Sequence, residues 1–331
     1  MTGDRTALRA VRAPTADEID RARATVAARL VPTPLVRLPL PARCGEVFAK
    51  LETMQPTGSF KVRGALAAVA AYGPHARIVT ASAGNHGLGV AFAAAATGVP
   101  ATVVVPTTAS RAKVDALRDL GADLVEHGDD YDAAEAYGLR LAEGSAVVDS
   151  ASAVFLSPYD DAHVIAGQAS CLAEVAEQLD GPATVVVPVG GGGLLVGTAM
   201  LAAREGRFTV VGVEAAASRA VSAAVTAGAV TPVPVAPTLA DGLAGNLEPG
   251  SVTPGLASDH GVSTFLAVDE PAIEEAMRYL ARRCGLVVEG SGAVGVAALL
   301  TGAFVPTGRT VVLLTGRNVA APVLARVLAW E

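Results

Sequence analysis

Lysine is almost missing from this chain. Its 331 residues hold three lysines (Lys50, Lys61 and Lys113) against 22 arginines. A lysine that survives such a bias points to work that arginine cannot do. An amine can lose its proton and attack a carbonyl, whereas a guanidinium stays charged. Aromatic residues are scarce too, at 4% of a sequence that is 51% hydrophobic. The core is therefore left to Ala, Val and Leu, which suits helices packed closely on a buried parallel sheet. There is no basic stripe, the net charge is −7, and nucleic acid is not an expected partner. Long hydrophobic runs are also lacking. Despite a mean hydropathy of +0.45, runs such as Val90–Ala96 and Val185–Val189 are far too short to span a bilayer, so no membrane association is expected. The opening MTGDRTALRAVR carries charge with no apolar stretch behind it, so no signal peptide is expected. The three cysteines (Cys44, Cys171, Cys284) are widely separated without metal spacing. They read as reduced, buried residues of a cytoplasmic protein.

What is present is a regular alternation of strand and helix. Thr15 and Glu18 form a capping box that opens a helix running to Leu30. Glu46–Glu52 reads as a strand and Phe60–Tyr72 as a helix. The strands Arg77–Ala81, Ala101–Pro106, Asp123–Glu126 and Ala146–Asp149 alternate with helices, which implies a compact parallel sheet with right-handed crossovers. A second series follows, with strands over Thr184–Val189, Thr209–Glu214, Thr264–Val268 and Thr310–Thr315. Its helices are Val164–Leu179, Leu194–Ala203, Glu270–Arg283, Gly292–Leu300 and Ala320–Trp330. The fold class is α/β, with two doubly wound units and a ligand cleft between them.

Three turns in this scaffold carry chemistry. Gly190, Gly191, Gly192 and Gly193 follow an apolar strand and precede a helix, so their backbone N–H groups can form a phosphate-binding nest. Ser82-Ala83-Gly84-Asn85-His86-Gly87 is a similar strand-to-helix turn suited to a carboxylate, with Asn85 adding a side-chain donor. His86, at a helix start, reads as structural. Thr57-Gly58-Ser59 is a polar donor loop just before Lys61. Thr315 offers a neutral hydroxyl at the end of the last strand. A lysine nucleophile and a phosphate nest together suit a ligand bearing an aldehyde and a phosphate, and pyridoxal phosphate is such a ligand.

These motifs, in this order, resemble the fold-type II pyridoxal-phosphate enzymes (tryptophan synthase β-like), specifically the threonine/serine dehydratase and serine racemase group. The likeness extends from about Thr33 to Asn318. It rests on QPTGSFKVRGA (Gln55–Ala65), ASAGNHGLGVA (Ala81–Ala91), SPYDDAHVIAGQAS (Ser157–Ser170), VPVGGGGLLVG (Val187–Gly197), VVEGSGAVGVAALL (Val287–Leu300) and LLTGRNV (Leu313–Val319). The resemblance implies that Lys61 is the catalytic Schiff-base lysine with Phe60 beside the cofactor. Asn85 would meet the pyridine 3-oxygen, Gly190–Gly193 and Leu194 the phosphate, and Thr315 the ring nitrogen. Ser82, Ala83, Gly84, Asn85, His86 and Gly242 would bind the amino-acid substrate. Residues 76–152 would form a small mobile domain inserted into a large one made of 1–75 and 153–331, in a homodimer. The implied reaction is loss of ammonia from a β-hydroxy L-amino acid through an aminoacrylate, giving a 2-oxo acid. Racemisation or epimerisation and β-replacement are the alternatives on the same scaffold.

The departures from the family pattern bear on function. Serine racemases carry a second acid/base serine where this chain has Ala83, which disfavours inversion. Glu214 stands where some members bind a divalent cation, but Ala220 occupies the expected second acidic position, so the metal assignment rests on one ligand. Arg317 replaces a usual glycine. With the sequence ending at Glu331, no allosteric regulatory domain is expected.

Overall fold

The computed structural model of the chain describes residues 11–148 and 153–329. Helix α1 (Ala16–Ala27) opens on the expected capping box: the Glu18 N–H donates to Thr15 Oγ1 at 3.2 Å and the Thr15 N–H to the Glu18 carboxylate at 2.8 Å. Strands β1 (Leu35–Arg37) and β2 (Val47–Leu51) pair antiparallel. Helix α2 (Lys61–Tyr72) leads into β3 (Arg77–Ala81), α3 (Asn85–Thr97), β4 (Ala101–Val105), α4 (Arg111–Asp119), β5 (Asp123–Glu126), α5 (Tyr131–Val148) and β6 (Ala153–Phe155). These four strands form a parallel sheet in the order β5-β4-β3-β6.

The chain then returns through α6 (Ala162–Gln178), β7 (Ala183–Pro188), α7 (Gly193–Glu205), β8 (Phe208–Ala215), α8 (Ala220–Ala227) and α9 (Thr253–Asp259). It closes with β9 (Phe265–Val268), α10 (Glu270–Cys284), α11 (Gly290–Thr301), β10 (Thr310–Leu314) and α12 (Ala321–Ala329). The second sheet has the order β1-β2-β10-β7-β8-β9 and is parallel except for β1. No helix among the described residues is long and apolar enough to cross a membrane.

Two parts of the sequence reading are corrected. Ala146–Asp149 is not the fourth strand of the smaller sheet, because α5 continues through Val148 and β6 supplies that strand at Ala153–Phe155; Asp149 lies outside the described residues. A four-residue apolar run is too short for its period to separate strand from helix. Helices α8 and α9 have no counterpart in the sequence reading, since α8 is a short Ala/Val/Ser run without a polar face.

Register brings the functional loops together. Thr310 of β10 lies opposite Val47 of β2 and Thr184 of β7, all parallel. Their carboxyl ends therefore share one sheet edge, where open α/β sheets bind ligands. The loops before α2, after β10 and before α7 all leave from that edge.

Helix α2 is buried along nearly its whole length, from Val62 to Val69, and small residues let its neighbours approach. A Cβ on Gly167 of α6 would lie 2.7 Å from the Arg63 carbonyl oxygen, the Gly64 Cα and the Ala67 Cβ, while one on Gly89 of α3 would lie 3.1 Å from the Lys61 carbonyl carbon. Side chains are kept out of these crossings, which is how a chain poor in aromatics still packs densely.

Charge fixes the same helix from behind. Arg63, with no exposed surface, donates to both Glu52 oxygens at 2.7 and 2.8 Å and to both Glu174 oxygens at 2.6 and 2.8 Å. Lys50 adds bonds to Glu174 and the Thr33 carbonyl, each at 2.6 Å, and to Gln178 at 3.1 Å. The network ties α2 to β2 and α6. Burial alone would raise the Glu52 carboxyl, but Arg63, Thr33 and Lys50 hold it down to about 2.

Two predictions follow from this packing. Arg63→Met strands the buried Glu52 carboxylate and removes one of the two cations on Glu174, and should cost about 3–5 kcal/mol in denaturant unfolding. In the wild-type protein the Glu52 contribution is complete above the ordinary carboxyl value of 4.5 and is lost as pH falls toward about 2. Gly167→Ala should destabilise by about 1–3 kcal/mol through overpacking. Gly144→Ala, where a Cβ meets nothing within 4 Å, should instead stabilise α5 by about 0.5–1 kcal/mol. Melting curves of the pair test the opposite signs.

Candidate active site

Lys61 begins α2 at the sheet edge, with its ammonium over the Phe60 ring at 5.2 Å and donating to the Pro158 carbonyl at 2.8 Å. Burial lowers its pKa to about 8, while the negative charge of Glu289 pulls the other way. An amine so placed is a free base for a sizeable fraction of the time near neutral pH.

The Pro158 contact leads directly to the glycine run. A Cβ on Gly191 would collide with the Tyr159 ring, and one on Gly193 would lie 2.7 Å from the Tyr159 carbonyl oxygen. A Cβ on Gly190 would lie 2.9 Å from the Leu243 Cα, and Gly192 has φ +91° beside Thr253. Close protein neighbours therefore exclude side chains at all four positions, beyond any need of a nest. Helix α7 starts on Gly192 with no side-chain cap, so its leading N–H groups have no competing side-chain acceptor. Leu194 lies buried in its first turn. Gly242 packs against the run, its carbonyl oxygen 3.1 Å from where a Gly190 Cβ would lie and its N–H donating to Ser291 Oγ at 3.0 Å.

The second turn sits at the carboxyl end of β3. The Gly84 N–H donates to Ser82 Oγ at 3.2 Å, and α3 starts on Gly84 without a side-chain cap. Ala83 packs against the apolar cluster around Val103 and Leu117. His86 is buried against the Leu156 carbonyl at 3.1 Å, and burial together with the Lys61 charge lowers its pKa to about 3. It is neutral, and its position ties α3 to the segment after β6.

Thr315 is buried at the end of β10, and its carbonyl accepts the Phe60 N–H at 3.0 Å, so it is one backbone bond from the residue beside Lys61. Arg317 turns away to the Thr53 carbonyl, while its own N–H donates to the Gly58 carbonyl at 2.9 Å. The arginine thus braces the loop before Lys61. Sequence reasoning missed two residues here, Glu289 and Asn318. The Asn85 amide donates to Glu289 at 2.7 Å, the Asn318 N–H donates to Glu289 at 3.1 Å, and the Asn318 amide donates to Asn85 Oδ1 at 2.6 Å. Glu289 lies within the motif VVEGSGAVG, and glutamate is an uncommon helix cap; that mismatch was a usable signal.

Glu214 has a different task from metal binding. One oxygen accepts the Val221 and Ser222 N–H groups at 3.1 and 3.2 Å, at the start of α8. Its other oxygen is buried without a partner, and burial raises its pKa. Among the described residues no group of three His, Cys, Asp or Glu side chains is placed to hold a metal ion. A single carboxylate engaged with a helix does not fit a cation, and no step is assigned to one.

The arrangement does fit a phosphorylated aldehyde: a shielded amine, an uncapped helix start preceded by glycines, and Ser59 Oγ buried without a partner two residues from Lys61. Comparison with known proteins agrees. Residues 26–316 match the family of pyridoxal-phosphate dependent enzymes. The chain belongs to that family, and its cofactor is pyridoxal phosphate. Over 288 residues it is 38% identical to an L-threonine ammonia-lyase of Thermotoga maritima, covering 86% of this chain and 70% of that one. It is 35% identical over 312 residues to the catabolic L-threonine dehydratase TdcB of Escherichia coli, covering 92% of each. The structure of maize serine racemase superposes with a TM-score of 0.85 at 29% identity, covering 95% of this chain and 97% of that one.

In protein stripped of cofactor, an amine-directed acylating reagent should modify Lys61 at a rate that rises with pH, is half-maximal near 8 and levels off above it. An ordinary lysine's rate keeps climbing toward 10.5. Peptide mass mapping across a pH series gives the midpoint.

Proposed function

We propose that this protein is an ammonia-lyase acting on a β-hydroxy L-amino acid such as threonine or serine, releasing a 2-oxo acid and ammonia. The observation that carries the reading is the Lys61 amine, lowered to about 8 and joined through Pro158 and Tyr159 to the glycine run. Bound there, pyridoxal phosphate supplies an aldehyde for the substrate amine and a ring that takes up electrons freed at the α-carbon.

This chain's residues divide the remaining work. Gly190–Gly193 and Leu194 would hold the phosphate with N–H groups of the α7 start, and Lys61, beside Phe60, would be the amine that meets the aldehyde. The Ser82–His86 turn would receive the substrate through its Ala83, Asn85 and His86 N–H groups, since those of Ser82 and Gly84 already bond the Val104 carbonyl and Ser82 Oγ. The released Lys61 amine then removes the α-proton, since its pKa lies close to working pH. Thr315 would offer the ring nitrogen a neutral hydroxyl, and the β-hydroxyl would leave as water with a proton returned from Lys61. The unit built on residues 76–152 closes over the site and excludes water. The smaller sheet also takes in Ala153–Phe155, paired with β3.

The maize relative is named a racemase, and Ala83 is what separates the two outcomes. Inversion needs a proton donor on the face opposite Lys61, and a methyl group has none to give. The names of the Thermotoga and Escherichia relatives support elimination. The reading also takes the enzyme to be a cytoplasmic homodimer, in keeping with its free cysteines and with the family it resembles.

Purified enzyme should release 2-oxo acid from L-threonine, L-serine or a bulkier β-hydroxy amino acid, and the unreacted substrate should stay in the L form on chiral chromatography. Lys61→Ala should lose activity by at least about 100-fold. Absence of 2-oxo acid from every substrate, or inversion faster than its release, would sink the assignment.

A further inference from the structure

We propose that Glu289 is a positioning residue, which holds the Asn85 side-chain amide across the cleft so that its remaining N–H faces the ring oxygen of pyridoxal phosphate. The proposal rests on the reading that Asn85 meets that oxygen.

Four observations on Glu289 lead to it. First, Glu289 is the residue before α11, yet its side chain makes no bond to that helix. A carboxylate at a helix start gains from the exposed N–H groups there, and this one turns away from them. Second, it turns into a built site. It is 6% exposed, and its oxygens accept the Asn85 amide at 2.7 Å and the Asn318 N–H at 3.1 Å. Third, the backbone is shaped around it: a Cβ on Gly316 would collide with the Glu289 carboxylate, and the Glu289 N–H donates to the Gly316 carbonyl at 3.0 Å. Fourth, the partner is held at both ends. Asn85 Oδ1 accepts from Asn318 Nδ2 at 2.6 Å, and the same Asn318 amide donates to the Thr57 carbonyl at 2.8 Å.

These bonds fix which way the Asn85 amide points, because a flipped amide would set its N–H groups against those of Asn318. An asparagine amide has two N–H bonds. Glu289 takes one, and the other is left for a ligand. Asn85 opens α3 on the smaller sheet, while Glu289 and Asn318 belong to the larger sheet's side of the cleft. The contact therefore aligns the amide only when the two halves are brought together.

Accepting from two N–H donors, one on each oxygen, suits the ionised carboxylate. Protonation makes one oxygen a hydroxyl, a poorer acceptor, and weakens the bond that oxygen holds. The charged groups facing Glu289 are Lys61 of α2, Lys113 of α4 and Asp241 of the segment before Gly242. Burial and Asp241 raise the Glu289 pKa to about 7, against the Asn85 and Asn318 hydrogen bonds and Lys113. The aligned state is thus present above about 7 and is lost as pH falls below it.

The test is a double-mutant cycle on the cofactor-loaded enzyme with Glu289→Gln, Asn85→Ala and the pair. It is read by kcat and KM against pH, by cofactor affinity from visible absorbance titration, and by melting temperature. Glu289→Gln should keep its melting temperature and its KM, lower kcat about 10- to 100-fold, and lose the acid limb near pH 7 in the visible absorbance of the bound cofactor, a readout in which Lys61 is not titrating as a free amine. Glu289→Asp should retain that limb. In the Asn85→Ala background, Glu289→Gln should add less than about twofold, because residues acting through one another are not additive. Effects that multiply, or a Glu289→Gln profile with the limb intact, overturn the proposal. Should Glu289→Gln not fold, the cycle is run with Glu289→Ala under the same criterion. Wild-type protein that shows no lysine-dependent visible absorbance overturns the cofactor reading instead, which keeps the two failures apart.

Discussion

Everything at the site depends on Arg63. It stands two residues beyond Lys61 on the first turn of α2, out of contact with water, with Glu52 on one side and Glu174 on the other. Burying these charges is costly, and their attraction offsets the cost only when every donor and acceptor is engaged. The guanidinium satisfies that condition with a bidentate bond to each carboxylate, and Lys50 completes the balance of charge. A less complete network would allow α2 to rotate or slide, and Lys61 would move with it. The position of the reactive amine is thus set by electrostatics behind the helix as much as by packing along it.

The scarcity of lysine takes on a second meaning in that light. Lys50 is buried in a spot where three acceptors surround it: the Thr33 carbonyl, Glu174 and Gln178. Three acceptors about one point suit the three hydrogens of an ammonium group and do not suit the planar fork of arginine. Arg63 beside it meets two carboxylates edge-on, which is the geometry an ammonium could not match. Two neighbouring cations in one network therefore need different residues. The bias that singled out Lys61 as a nucleophile singled out Lys50 as well, for a reason of shape that the sequence alone does not display.

The same distinction describes how far the site could be read in advance. Strand and helix positions were legible because alternation and glycine turns are local, and they erred where local pattern is weakest, at Ala146–Asp149 and in the short α8. Lys61, the glycine run and the Ser82–Gly87 turn announce themselves by residue type at the ends of strands. Glu289, Asn318 and Arg63 do not, since each acts on a residue 11 to 233 positions away, and such pairings exist only once register has joined β2, β10 and α11. Even the glycine run was legible only in part. Its chemistry is suggested by four small residues in a row, whereas the contact of Tyr159 with Gly191 explains why a side chain is excluded there.

Glu214 shows how a residue can remain in place after its partner is gone. A cation site at Glu214 would need a second acidic residue, and the position expected for it holds Ala220. A buried carboxylate with no compensation would be strongly destabilising, yet Glu214 has a use independent of any ion. It accepts two N–H groups at the start of α8, a helix whose own preceding residue, Arg219, provides no side-chain cap. Its second oxygen has no partner, and its pKa is raised, so the group sits closer to neutrality than a metal ligand could. Substituting Ala220 alone would therefore not restore a cation site, because the carboxylate is already committed to the helix.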